Sequence, residues 1–171
     1  MPSRPNLVPV PPWVGRRVVL GVTGGIACYK SISLARDLTR LGARVDVVLT
    51  ESATRFLQPL VFEGVTGRPA LSDLWSAEGA ARHIRLAREA ELVLVAPATA
   101  DLLARAAQGR GDDLLTTLLL ATRAPVLLAP AMNDRMWDHP QTRANVRHCR
   151  EALGYGVVGP ATGPLAVGEG E

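Results

Sequence analysis

At 171 residues, with 47% hydrophobic and 20% charged side chains, the chain has the length and composition of one globular domain with a substantial core, which excludes a disordered chain and a pair of ordinary domains. The net charge is only +3 and the arginines are scattered through predicted helices, so nucleic acid is not an expected partner. Cys28 and Cys149 stand far apart without CxxC or Cys/His spacing, so no disulfide and no metal site is expected and a reduced, cytoplasmic setting fits.

The opening MPSRPNLVPVPP is interrupted by prolines where a signal peptide needs a continuous apolar stretch, and no run approaches the ~18 apolar residues of a membrane span. Residues 1–16 are therefore expected to form a flexible arm of a soluble protein without membrane contact, ahead of a domain over 17–158. RVVLGV, from Arg17, predicts a strand; glycines follow, and IACYKSISLARDLTRLG carries apolar residues at helical spacing with a glycine stop. ARVDVVLT (43–50) repeats the strand signal, with Thr50 at its carboxyl end and a short helical stretch through Phe56 and Leu57.

From Pro59 to about Ala81 the pattern loses regularity, apart from a short strand in TGRPALSDLW. HIRLAREA predicts a helix that His83 opens, and ELVLVAP (91–97) reads as a strand buried on both faces of a parallel sheet. Helices are expected over roughly 98–108 and 112–122, then a strand in APVLLAPAMN, a helix over about 141–153 and YGVVGP. Strands alternating with helices imply an α/β, doubly wound, Rossmann-like parallel sheet of about six strands with helices on both faces. The last thirteen residues, GPATGPLAVGEGE (159–171), have neither periodicity.

Ligands of such sheets bind at the carboxyl ends of the strands. That rule singles out TGGIA (23–27), TESAT (50–54), PATAD (97–101) and PAMN (130–133), all rich in small residues that let a ligand approach backbone N–H groups at helix starts, as a phosphate would require. The glycine turn is not GxGxxG, and Thr50 stands where a dinucleotide ribose wants an acid, so a mononucleotide is the better candidate. TGGIA alone is equally a tight strand-to-helix turn. His83, after an irregular loop, is a candidate acid/base, with a solvated helix-start histidine as the plainer reading. In PAMNDRMW, Asn133 can donate to or accept from a carboxylate or amide, while Met132, Met136 and Trp137 could simply cap the core.

Taken together and in order, GVTGGIACYK, VVLTESATRF, HIRLA, LVLVAPATAD, DLLTTLLLATRAPVLLAPAMNDRMW and GPLAVGEGE resemble the flavin-dependent cysteine decarboxylases over residues 17–171, with the greatest likeness to the branch that acts on phosphopantothenoylcysteine in coenzyme A biosynthesis. The resemblance implies FMN as cofactor, held by Gly25, Ile26 and Ala27, by Thr50, Glu51 and Ser52, and by Ala98, Thr99, Ala100 and Asp101 with Ala121. It implies that His83 works as acid/base near the substrate thiol, and that Asn133 holds the substrate carboxylate, with Ala131, Met132 and Met136 beside it. The implied chemistry oxidises the carbon bearing the thiol, releases CO2 and leaves an enethiolate, which a final reduction converts to phosphopantetheine. It further implies a trimer or dodecamer, and a separate or fused phosphopantothenate-cysteine ligase. The tail becomes the start of a substrate clamp containing Leu165, Ala166, Val167 and Gly168.

Two positions depart from the family pattern. Asp101 replaces a usual asparagine, and an ionised carboxylate cannot donate a hydrogen bond. Val167 replaces the clamp cysteine that protonates the product, which brings in two alternatives: a peptidyl-cysteine decarboxylase that stops at the enethiol, and an FMN-binding interaction subunit without turnover.

Overall fold

A computed structural model describes residues 12–75 and 79–160. The valine-rich runs become parallel strands: β1 (Arg17–Val22), β2 (Arg44–Leu49), β3 (Leu92–Ala98), β4 (Val126–Pro130) and the short β5 (Gly156–Val157). Their order is β2-β1-β3-β4-β5, with Leu20 of β1 opposite Val47 of β2 on one side and Leu94 of β3 on the other. Among the described residues the sheet has five strands where about six were expected. TGRPALSDLW supplies only one bridging residue: the Leu49 N–H donates to the Leu71 carbonyl (2.7 Å) and the Leu71 N–H to the Val47 carbonyl (2.9 Å). Pro69 lacks a donor on one side of it, and on the other the Trp75 N–H donates to Asp73 Oδ1 (2.8 Å), turning the chain away.

Helices lie on both faces. One face of β1 and β2, through Val18, Leu20, Val22, Val47 and Leu49, packs on α1 (Lys30–Arg40) and α3 (Pro59–Thr66). The other face of the sheet meets α4 (Gly79–Glu89), α5 (Ala100–Ala107), α6 (Leu114–Ala121) and α8 (Pro140–Glu151). Two short helices, α2 (Glu51–Thr54) and α7 (Asp134–Asp138), follow β2 and β4 directly.

The irregular middle of the sequence contains α3, which periodicity missed. PLVFEGVT is rich in β-branched residues and contains Gly64, all weak helix formers, but Pro59 suits a first helical turn, Gly67 ends the helix at φ 68°, and Phe62 is fully buried. Tertiary burial overrides propensity here. Phe62→Ala is expected to destabilise the fold by about 3–5 kcal/mol, measured by chemical denaturation.

Three further expectations change. β3 is not buried on both faces: Val93 and Val95 are buried while Leu92, Leu94 and Ala96 are only partly covered, because all the neighbouring bulk of α4, α5, α6 and α8 lies on one side. α4 starts at Gly79, so His83 lies in its second turn and does not open it. Residues 12–15, expected within a loose arm, form a turn in which Trp13 packs on the α1 side of the core, the Gly15 N–H donates to the Gly42 carbonyl (2.9 Å), and the Arg44 N–H donates to the Arg16 carbonyl (2.8 Å). Among the described residues no helix is long and apolar enough to cross a membrane.

Candidate functional site

Strand order reverses between β1 and β3, so the connections leaving those strands diverge to opposite faces and open a crevice at their carboxyl ends. Thr23, buried at the end of β1, stitches its two sides together: its Oγ1 donates to the Pro97 carbonyl (2.7 Å) and accepts from the Thr99 N–H (3.3 Å). Ser31 Oγ, at the start of α1, donates to the Ala96 carbonyl (2.6 Å). These two hydroxyls fix the glycine turn against β3; Thr23 opens the TGGIA segment that the sequence singles out, whereas nothing in the sequence marks Ser31.

Gly24 is required by space. A Cβ there would lie 2.6 Å from the backbone carbon, Cβ and Oγ of Ser52. Gly25 is extended, at φ −165°, and leads into a single 3-10 turn, Ile26–Tyr29; a Cβ on it would lie 3.4 Å from Thr99 Cγ2. The structure thus brings the three expected cofactor segments, 25–27, 50–52 and 98–101, to one edge of the sheet. Thr50 caps α2, its Oγ1 accepting from the Ala53 N–H (3.2 Å) and lying 3.0 Å from Ser52 Oγ. Thr99 caps α5 by accepting from the Leu102 N–H (3.3 Å). First-turn N–H groups of helices have no intrahelical partner and carry the positive end of the helix dipole, which favours an anion at this edge.

Beside the crevice opens a cleft of roughly 460 Å³, bounded by Thr50–Ser52 and Arg55 on one side and by Asp101, Arg105, Arg110 and Asp112–Asp113 on the other. Arg105 organises it. Its Nη2 reaches Asp112 Oδ1 (2.5 Å) and Asp113 Oδ2 (2.7 Å), and its Nη1 lies 3.6 Å from Asp101 Oδ2. Burial alone would lower the Arg105 pKa, but hydrogen bonds to Asp113 and Asp112 hold it above the ordinary arginine value. The hydrogen bond from Arg105 holds the Asp112 carboxyl below its ordinary value. Asp113 also caps α6 in a reciprocal pair with Thr116.

The other expected residues arrive from different elements. His83 lies on the stripe of α4 that includes the buried Leu86 and Ala87, half-covered. Ala131 continues β4, and its N–H donates to the Ala98 carbonyl (3.3 Å), which ties PAMN to PATAD. Asn133 caps α7, its Oδ1 accepting from the Arg135 N–H (2.8 Å). Met132 packs against the core, whereas Met136 is 50% exposed. Trp137 is covered by the Arg143 guanidinium, 4.6 Å from the ring centre. Ala121 ends α6 just before the amino end of β4, at the opposite edge of the sheet, so one chain does not bring it to the crevice. Leu165, Ala166, Val167 and Gly168 lie outside the described residues.

Cys28 and Cys149 are both buried; burial raises the Cys28 pKa and pushes the Cys149 thiol up to about 11. Both are expected to resist a thiol reagent at pH 8 in the folded chain and to react fully after denaturation, as counted by absorbance. Among the described residues no group of three or more His, Cys, Asp or Glu could hold a metal ion.

The Flavoprotein family model matches residues 13–171. The chain is 51% identical over 152 residues to the coenzyme A biosynthesis bifunctional protein CoaBC of Mycobacterium tuberculosis, covering 89% of this chain and 36% of that protein. It is 49% identical over 157 residues to the protein of that name from Vibrio cholerae, covering 91% and 39%. This chain therefore spans little more than a third of the length of the curated relatives it matches. Among solved structures, it resembles a C175S mutant of PPC decarboxylase complexed with pantothenoylaminoethenethiol, with TM-score 0.77, 30% identity and coverage of 90% and 87%. It also resembles the FMN-dependent cysteine decarboxylase SpaF, with TM-score 0.78, 34% identity and coverage of 84% and 83%.

Proposed function

The chain belongs to the Flavoprotein family, and from that premise we propose that it is an FMN-dependent decarboxylase acting on the cysteine carboxylate of 4'-phosphopantothenoylcysteine in coenzyme A biosynthesis. The observation that carries this reading is the convergence of Gly24–Gly25, Thr50–Ser52 and Ala98–Asp101 at the β1/β3 reversal. That edge suits a phosphorylated, elongated ligand: a glycine whose hydrogen is all the space allows, hydroxyls at Thr50 and Ser52, and helix starts that favour an anion. The residues that would hold FMN are Gly25, Ile26, Ala27, Thr50, Glu51, Ser52, Ala98, Thr99, Ala100 and Asp101.

FMN, when bound, supplies the two-electron acceptor for the carbon that bears the substrate thiol. His83 holds and moves the proton at that thiol, since an imidazole ring has one nitrogen that donates and one that accepts a proton. Asn133 orients the departing carboxylate, an anion to which a side-chain amide N–H donates. Ala131 and Met132 bound this position, Met136 stands at its exposed rim, and Leu165, Ala166, Val167 and Gly168 would act as the substrate clamp.

Incubating the purified, flavin-loaded chain with 4'-phosphopantothenoylcysteine and following CO2 and products by mass spectrometry tests the reading. CO2 with phosphopantetheine is the expected result, and no CO2 from this substrate overturns it. A second reading, release of the enethiol from this substrate or from a cysteine-ending peptide, is favoured by Val167 and by the burial of both cysteines; accumulation of enethiol would support it.

A homo-oligomer, trimeric or built of trimers, is part of the same proposal. It is supported by the face of β4 opposite Val126 and Leu128, where Leu127 and Ala129 are half-exposed, and by Val158 beyond β5, which is 57% exposed. Another copy would cover this strip and could bring its own Ala121 to the crevice. Light scattering on the purified chain is expected to give three times the monomer mass or a multiple of that; a monomer overturns it. The ligase that supplies the substrate would be a fused or separate partner.

A further inference from the structure

The charges around the cleft resolve into pairs, with one exception. Arg55 Nη2 meets Glu51 Oε1 (3.2 Å) and Arg110 meets Asp112, but among the described residues Arg105 alone forms ion pairs with Asp101 and Asp113 while sharing Asp112. Its two arms do different work. Nε and Nη2 bond Asp112, Asp113 and Thr116 at the start of α6, which secures the fold, whereas Nη1 reaches along α5 to Asp101, whose side chain is 74% exposed. An exposed i,i+4 pair contributes little to stability. Asp101, however, sits in the first turn of α5, at the edge where Thr50 and Ser52 would hold a phosphorylated ligand, and an uncompensated carboxylate there would repel that ligand.

Resting on the FMN reading, we propose that Arg105 is a positioning residue for the flavin: its Nη1, 3.6 Å from Asp101 Oδ2, offsets part of that carboxylate's charge, so that Asp101 accepts hydrogen bonds from ligand hydroxyls with less repulsion of the phosphate. This accounts for an acid at a position where an amide would need no partner.

The test is a double-mutant cycle on the full chain, stripped of flavin and titrated with FMN at low salt, with fluorescence as readout and the melting temperature recorded for every variant. Arg105→Met is expected to weaken FMN binding by about tenfold with Asp101 present and by less than about threefold in the Asp101→Asn background. The lost contacts to Asp112 and Asp113 lower the melting temperature equally in both backgrounds. Equal losses of FMN affinity in the two backgrounds overturn the proposal, because they assign Arg105 a structural role only. If Arg105→Met does not fold, Arg105→Lys, which keeps a charge and loses the fork, is read in the same cycle: a loss larger with Asp101 than with Asn supports the proposal and equal losses overturn it. Failure of the unsubstituted chain to bind FMN overturns the flavin reading itself, and this inference with it.

Discussion

Replacing His83 by Asn is expected to lower CO2 release by about 10²–10⁴-fold, the range spanned by a positioned acid/base group, while the flavin stays bound. Asparagine keeps the polarity and approximate size of imidazole but cannot change protonation near neutral pH. The fold should tolerate it. His83 is one turn ahead of Leu86 and Ala87, each 3% exposed, and those two residues anchor α4 whatever side chain stands at position 83. The discriminating measurement pairs CO2 release with the visible absorbance of bound flavin and the melting temperature. Unchanged turnover removes the assigned role, and loss of turnover together with loss of flavin would make His83 a scaffold residue.

Gly24→Ala is expected to weaken FMN binding by about tenfold to a hundredfold, corresponding to an overpacking cost of ~1–3 kcal/mol. The new methyl would meet the backbone carbon of Ser52 at 2.6 Å, and a backbone atom cannot swing aside as a side chain can. Relief must come from separating the glycine turn from 50–52, two of the segments that form the crevice. Gly21→Ala makes the informative contrast. Its Cβ would also meet an atom at 2.6 Å, but that atom is Leu115 Cδ1, the far end of a flexible side chain, so its cost should fall on stability more than on FMN affinity. A titration with FMN beside a denaturation curve separates the two effects; equal FMN affinity for Gly24→Ala and the unsubstituted chain removes the close-approach argument.

Much of the architecture was legible because burial and periodicity coincide in it. β1, β2, β3 and β4 are runs of Val, Leu and Ile-like residues, α1 and α5 carry strong apolar stripes, and each strand that ends in small residues or threonine does so at the crevice edge. The elements that periodicity misplaced are those whose local preference and tertiary surroundings disagree. α3 forms from weak helix formers because Phe62 fills the core, and TGRPALSDLW fails as a strand because Pro69 and the Asp73 turn leave Leu71 alone to pair.

The sequence by itself determined the class of fold and the family, and it picked out four segments that follow the carboxyl ends of strands, since each of these follows from the order of residues along the chain. Tertiary structure decided which segments meet. The Thr23 bridge from β1 to Pro97 and Thr99 links residues more than seventy positions apart, the fork of Arg105 joins two helices, and the one-sided cover of β3 and β4 depends on which face four helices choose. It also set Ala121 at the far edge of the sheet and sealed both thiols in the interior. The physical reason is the same for all of these: local periodicity fixes which way a side chain points relative to its own element, whereas pairing, charge compensation and burial depend on atoms that the fold brings in from elsewhere.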